Sequence, residues 1–148
     1  MSTRAGILLA VIAALEAGCS HSDRRLERRI ASEADKGAGT VVHLSSLTDF
    51  SWDELHIFAP YTSQGTIDAQ LGFAWSEAAA TGLSDNKGIA LLVFVKDGKV
   101  VRYVAHPRNK GDFADVTPPR RGLAPAAAVF VVRIENRGQP RRVFHLAE

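Results

Sequence analysis

The order of apolar runs and turn residues predicts an α+β fold, with one antiparallel sheet of about five to six strands and helices packed on one face. Three observations carry this reading. Asp97-Gly98 separates two apolar runs, residues 89–95 and 100–105, and calls for a type I′ hairpin turn in which both central residues take positive φ. A second pair of runs, residues 126–134 and 141–146, flanks Asn136-Arg137-Gly138. No glycine-rich phosphate loop follows any strand, so a dinucleotide-binding fold has no support.

The elements follow from the N-terminus. Residues 5–15, after Arg4, contain no polar side chain. As a helix that run spans about 16 Å, half of a ~30 Å hydrocarbon core, which is too short for a membrane span. A charged start, a short apolar stretch and then small residues make a secretory signal peptide, assigned to residues 1–18. Residues 19–39 read as an anchor, a stalk or peripheral helix and a linker, and residues 40–148 as one domain. In the helix, Ser22 is the expected cap, Asp23 suits the first turn and Gly37 stops it. Leu26, Ile30 and Ala34 recur every four residues and give a narrow apolar stripe. Arg24, Arg25, Arg28 and Arg29 form a solvated face interleaved with Asp23 and Glu27, with lipid phosphates as the alternative contact.

Residues 40–44 form a first strand and residues 55–59 a second, ended by Pro60, which cannot donate to a ladder. Thr62 is placed to cap a helix through Ile67 and Leu71 that stops at Gly72. Residues 75–86 are irregular and rich in small side chains. The two-residue turn at Asp97-Gly98 fixes hairpin partners: Lys96 with Lys99, Val95 with Val100, Phe94 with Val101, Val93 with Arg102, Leu92 with Tyr103. Both faces of this hairpin are largely apolar, so it belongs at the centre of the sheet, with helix on one side and loops or the other helix on the other. Residues 108–125, polar and containing Pro118-Pro119 and Arg120-Arg121, read as a long exposed loop.

Composition narrows the function classes. The 148 residues are 46% hydrophobic and 23% charged, an ordinary globular balance that excludes collagen-like, wholly disordered and multi-span membrane chains. A formal charge of +2 is too weak a field to make nucleic acid the main partner. The single cysteine excludes an internal disulfide and cannot supply the cysteine cluster of a structural zinc site.

That cysteine, Cys19, directly follows Ala17-Gly18. The ending resembles the lipobox of bacterial lipoproteins, although Glu16 stands where the pattern has an aliphatic residue and Leu15 lies one place earlier. The resemblance implies removal of the leader, a diacylglycerol on the Cys19 thiol, and a chain anchored in the cell envelope and facing the periplasm. Ser20 is similar to lipoproteins sent to the outer rather than the inner membrane of two-membrane bacteria. Further on, Phe50-x-Trp52-Asp53, Phe58-x-Pro60-Tyr61-Thr62, Leu71-Gly72, Trp75 and Asp97-Gly98-Lys99-Val100 resemble a group of small bacterial lipoproteins of unassigned function, over residues 49–103. This implies the same anchored class and no particular activity.

Several groups are candidates for chemistry or recognition. Trp52 and Asp53 suit either a recognition pair at a strand entrance or, the favoured reading, a core anchor beside a turn-capping carboxylate. Pro60, Tyr61 and Thr62 suit a ligand rim or a plain strand-to-helix turn. Five histidines are scattered without the spacing of a helical zinc site, so neither metal nor cofactor is expected. No nucleophile elbow is present. Arg102, His106, Arg108, Lys110, Arg120 and Arg121 crowd one strand end and its loop, a candidate cationic patch for an acidic envelope ligand or protein partner; the favoured reading is an ordinary wet loop in which Asp112 and Asp115 offset the charge. The function expected is a non-catalytic binding or scaffolding domain held on the membrane through its lipid. The alternative is an envelope hydrolase or metal-dependent enzyme using Asp53, His56 and His106, which requires those side chains to converge.

Overall fold

The computed structural model describes residues 21–148, so the expected signal peptide and the Cys19 attachment point lie outside the described residues. Helix α1 spans Arg24–Asp35 and is capped by Asp23, whose side chain accepts from the Leu26 N–H at 3.0 Å. Ser22 is not the cap; its hydroxyl accepts from the Ala105 N–H instead. Leu26, Ile30 and Ala34 are fully buried in the larger of two hydrophobic clusters. The helix is thus packed into the domain, not a stalk beside it. All three share that cluster with residues of both sheets, where removing Ile30 beyond Cβ costs about 2–5 kcal/mol.

Strand β1 (Val41–His43) leads into a single helical turn, α2 (Leu44–Leu47), and then to β2 (Glu54–Phe58). Helix α3 (Gln64–Leu71) starts from Ser63, which accepts from the Thr66 N–H, and ends at Gly72 in the left-handed conformation. Residues 76–85 wind through two short 3₁₀ turns. Strands β3 (Ile89–Lys96) and β4 (Lys99–Pro107) form the expected hairpin, and Asp97 and Gly98 take φ of 50° and 71°, as a type I′ turn demands. Strands β5 (Val129–Asn136) and β6 (Pro140–Leu146) close the chain.

The α+β class holds, but the single sheet does not. Two antiparallel sheets of three strands form, in the orders β1-β5-β6 and β2-β3-β4. The backbone bonds explain why they stay separate, since a strand can be extended only along an edge with free donors and acceptors. The edge of β4 is taken by the start of α1, with Asp23 N–H to Tyr103 O and Ala105 N–H to Ser22 Oγ, each 2.9 Å. The edge of β2 is taken by Leu123, which exchanges two bonds with Leu55. Asp112 occupies the edge of β6, donating to Arg142 O and accepting from the Phe144 N–H.

Every position of β3 from Ala90 to Val95 is buried. One face of its sheet, with Leu55, Leu92, Phe94 and Val104, packs against the first sheet and α1. The other, with Phe58, Leu91, Val93 and Tyr103, is covered by α3 and the 3₁₀ turns. Helices therefore lie on more than one side, and a second sheet, not loops, covers the hairpin's far face. The hairpin register follows expectation at Lys96–Lys99 and Val95–Val100 and then slips. A bulge between Phe94 and Val95 pairs Phe94 with Arg102, Val93 with Tyr103 and Leu92 with Val104. The extra residue, Val101, is what turns Tyr103 onto the α3 face beside Val93.

Candidate functional site

The segment after β4, expected to be an exposed loop, is stapled into the molecule. Arg108–Lys110 forms a 3₁₀ turn, and Gly111 at φ +112° then swings the chain inward. A Cβ at Gly111 would stand 2.4 Å from the Phe144 ring, so only glycine passes. Asp112 and Phe113 follow, both buried. Phe113 stacks on Phe144 at 4.2 Å between centroids and meets Phe130 edge-on at 5.4 Å. Leu123 is buried further along. Single apolar anchors in a polar stretch hold the loop down.

The Asp112 carboxylate is the electrostatic centre of this region. Its oxygens accept from Arg108 Nε at 3.0 and 3.1 Å and Nη2 at 2.9 Å, from the Ala114 N–H at 2.8 Å, and from Arg141 Nη2. The fork of Arg108 also reaches Lys87 O through Nη1 at 2.9 Å. Hydrogen bonding to Asp112 holds the Arg108 guanidinium above its ordinary pKa. A fully buried carboxylate tolerates its loss of hydration only with such partners. Above the pair opens a cleft of about 830 Å³, lined by Lys87, Gly88, Arg108, Asn109, Ile134 and Arg141 among others, with Arg142 and the rings of Pro107 and Pro140 completing its wall. Arg142 meets Asp35 at 3.2 Å.

The other sequence candidates are placed elsewhere. Trp52 is buried, its indole N–H donates to Thr48 Oγ1 at 3.0 Å, and its ring meets Phe94 edge-on. Asp53 accepts from the Asp97 N–H at 3.0 Å, so this pair is a core anchor and a turn staple. Pro60 and Tyr61 form a tight turn in which Tyr61 takes φ +64° and is 59% exposed. Thr62 bonds back to Ala59 O and leaves the cap of α3 to Ser63. A smaller hollow of about 430 Å³ lies near Ser45, Thr48 and Trp52, away from that rim.

Several members of the cationic cluster expected along β4 and its loop are engaged within the fold. Arg102 lies 5.1 Å over the Phe50 ring and 3.7 Å from Asp23. Lys110 faces Glu27, and the Arg120 carbonyl is bonded by Gln70. His106 is fully buried, and burial lowers its pKa to about 4 against the pull of the Lys110 carbonyl. Of the predicted binding residues only Arg108 lines the cleft.

Asp53, His56 and His106 do not converge. His56 pairs across to Val93 and stacks on Phe58, on the α3 face of the sheet, with Glu54 at 3.0 Å. His106 pairs with Ala90 and meets Phe113 edge-on, on the opposite face. Asp53 sits at the hairpin turn. Among the described residues no group of three His, Cys, Asp or Glu side chains is placed to hold a metal ion. Sequence reasoning missed Lys87, Asp112, Arg141 and Arg142. The Gly111-Asp112 step and the Arg141-Arg142 doublet were the available signals, but nothing local joins them. No protein-family model matches the chain, and neither a curated protein nor a solved structure shows a match.

Proposed function

We propose that this chain is a lipid-anchored protein of the bacterial cell envelope whose folded part is a non-catalytic binding domain. The observation that carries the binding reading is the cleft of about 830 Å³ edged by Lys87, Arg108, Arg141 and Arg142, with two of those guanidiniums fixed on a buried carboxylate. Such a site offers oriented charge to a ligand, and the His56 and His106 rings that the hydrolase alternative would bring together lie on opposite faces of their sheet. The anchoring reading rests on the apolar run after Arg4 and on Cys19 following Ala17-Gly18. The fold begins close behind that cysteine, because Ser22 and Asp23 are already bonded to β4. Three residues of chain reach at most ~10 Å, so the domain rides against the bilayer surface.

Each buried methylene of an acyl chain contributes ~0.8 kcal/mol, and two chains or more anchor stably. The test is to express the full chain in a two-membrane bacterium and separate its membranes. The wild type is expected in the outer-membrane fraction and the Cys19→Ala chain outside it. Equal distribution of the two overturns the anchoring.

A further inference from the structure

We infer that the cleft binds a phosphate ester carried on an apolar body. This rests on reading the cleft as the binding face, and it stands or falls independently of the lipid anchor. Its charge points to a dianion. Lys87, Arg108, Arg141 and Arg142 line the cleft, and the carboxylates paired with them are Asp112 and Asp35, which leaves two positive charges in excess. A phosphomonoester above its second pKa of ~6 neutralises both, whereas a carboxylate neutralises one.

The donor geometry agrees. A guanidinium presents five N–H groups. Arg141 commits one of them to Asp112, and the rest have no protein partner among the described residues. Asp112 thereby fixes the fork that the ligand meets, which lowers the ordering cost of binding. Lys87 likewise has no ion-pair partner among the described residues. Beside these cations stand Ile134, which is 46% exposed, and the rings of Pro107 and Pro140, an apolar shelf for the ester's organic group. The volume falls within the range of about 300–1,000 Å³ usual for small-molecule sites.

The test is calorimetric titration of the full chain in nonionic detergent at pH 7.5 with phenyl phosphate, inorganic phosphate and benzoate. Phenyl phosphate is expected to bind saturably, several-fold tighter than inorganic phosphate and ~10-fold tighter than benzoate, and to weaken at pH 5 as it loses a charge. Arg141→Gln should weaken it ~10-fold or more. Lys87→Gln and Ile134→Ser, both on the surface and outside the bonds to Asp112, should weaken it several-fold without disturbing the fold. Absence of saturable binding overturns the inference, as does affinity unchanged in Lys87→Gln and Ile134→Ser, or benzoate binding as tightly as phenyl phosphate. Competition by phosphatidic acid added to the micelles assigns the ester to a lipid headgroup, and absence of competition assigns it to a soluble molecule; both support the site. A chain that fractionates with membranes yet binds no phenyl phosphate loses this inference and keeps its anchor.

Discussion

Protonating one buried imidazole should set the acid limit of this fold. His106 has no solvent exposure and packs edge-on against Phe113 at 5.5 Å. Its Nε2 lies 3.2 Å from the Lys110 carbonyl, which makes Nε2 the protonated nitrogen of the neutral ring. Nδ1 has no hydrogen-bond partner among the described residues, so the charged ring would carry a second, unbonded N–H in the interior. Burial is the main cause that lowers its pKa from 6.5 to about 4. Between those values the unfolded chain takes up a proton that the folded chain refuses, so stability falls as pH falls. At 1.36 kcal/mol per pH unit the loss amounts to ~3 kcal/mol, complete below about pH 4 and absent above about pH 7. That is a large share of a typical total of about 5–15 kcal/mol. The assay is urea unfolding of the wild type and His106→Gln at intervals from pH 7.5 to pH 4. Carboxylates titrating in the same range affect both chains, so the difference between them isolates the imidazole. The wild type's advantage should shrink by ~3 kcal/mol across that range. An advantage that stays constant with pH would refute the reasoning.

Three further outcomes follow from packing. Gly111→Ala forces a Cβ against the Phe144 ring at a left-handed φ and should cost at least ~2 kcal/mol by denaturant unfolding. Asp112→Ala leaves two guanidiniums without their carboxylate; because both reach solvent the cost should be nearer ~2 kcal/mol than the ~3–5 kcal/mol of a fully buried pair. Ile30→Ala should destabilise the whole domain by about 2–5 kcal/mol in a single transition, whereas a freestanding stalk would leave the midpoint unmoved.

What the sequence made legible is local. Asp97-Gly98 specified its turn and the first two pairs of the hairpin, because turn chemistry acts over four residues. The bulge that follows was invisible, since an alternating apolar pattern does not reveal one extra residue when both faces are buried. The two hairpin pairings, β3 with β4 and β5 with β6, were found, but not the partners of β1 and β2. That β1 joins β5, and that Ser22, Leu123 and Asp112 close three sheet edges, depends on contacts between distant parts of the chain. The loop after β4 looked exposed because its average polarity hides Phe113 and Leu123, and Asp112 passed as a solvated charge. The same limit governs the site. Arg108 was legible beside the strand end, but its counterpart Arg141 meets Asp112 from 29 residues away.

The measurement closest to the centre of the account is the intact mass of the chain recovered from the membranes of a bacterial host. A polypeptide beginning at Cys19 and carrying a thioether-linked diacylglycerol is the predicted result. A species with an unmodified cysteine, or with residues 1–18 still attached, would contradict it.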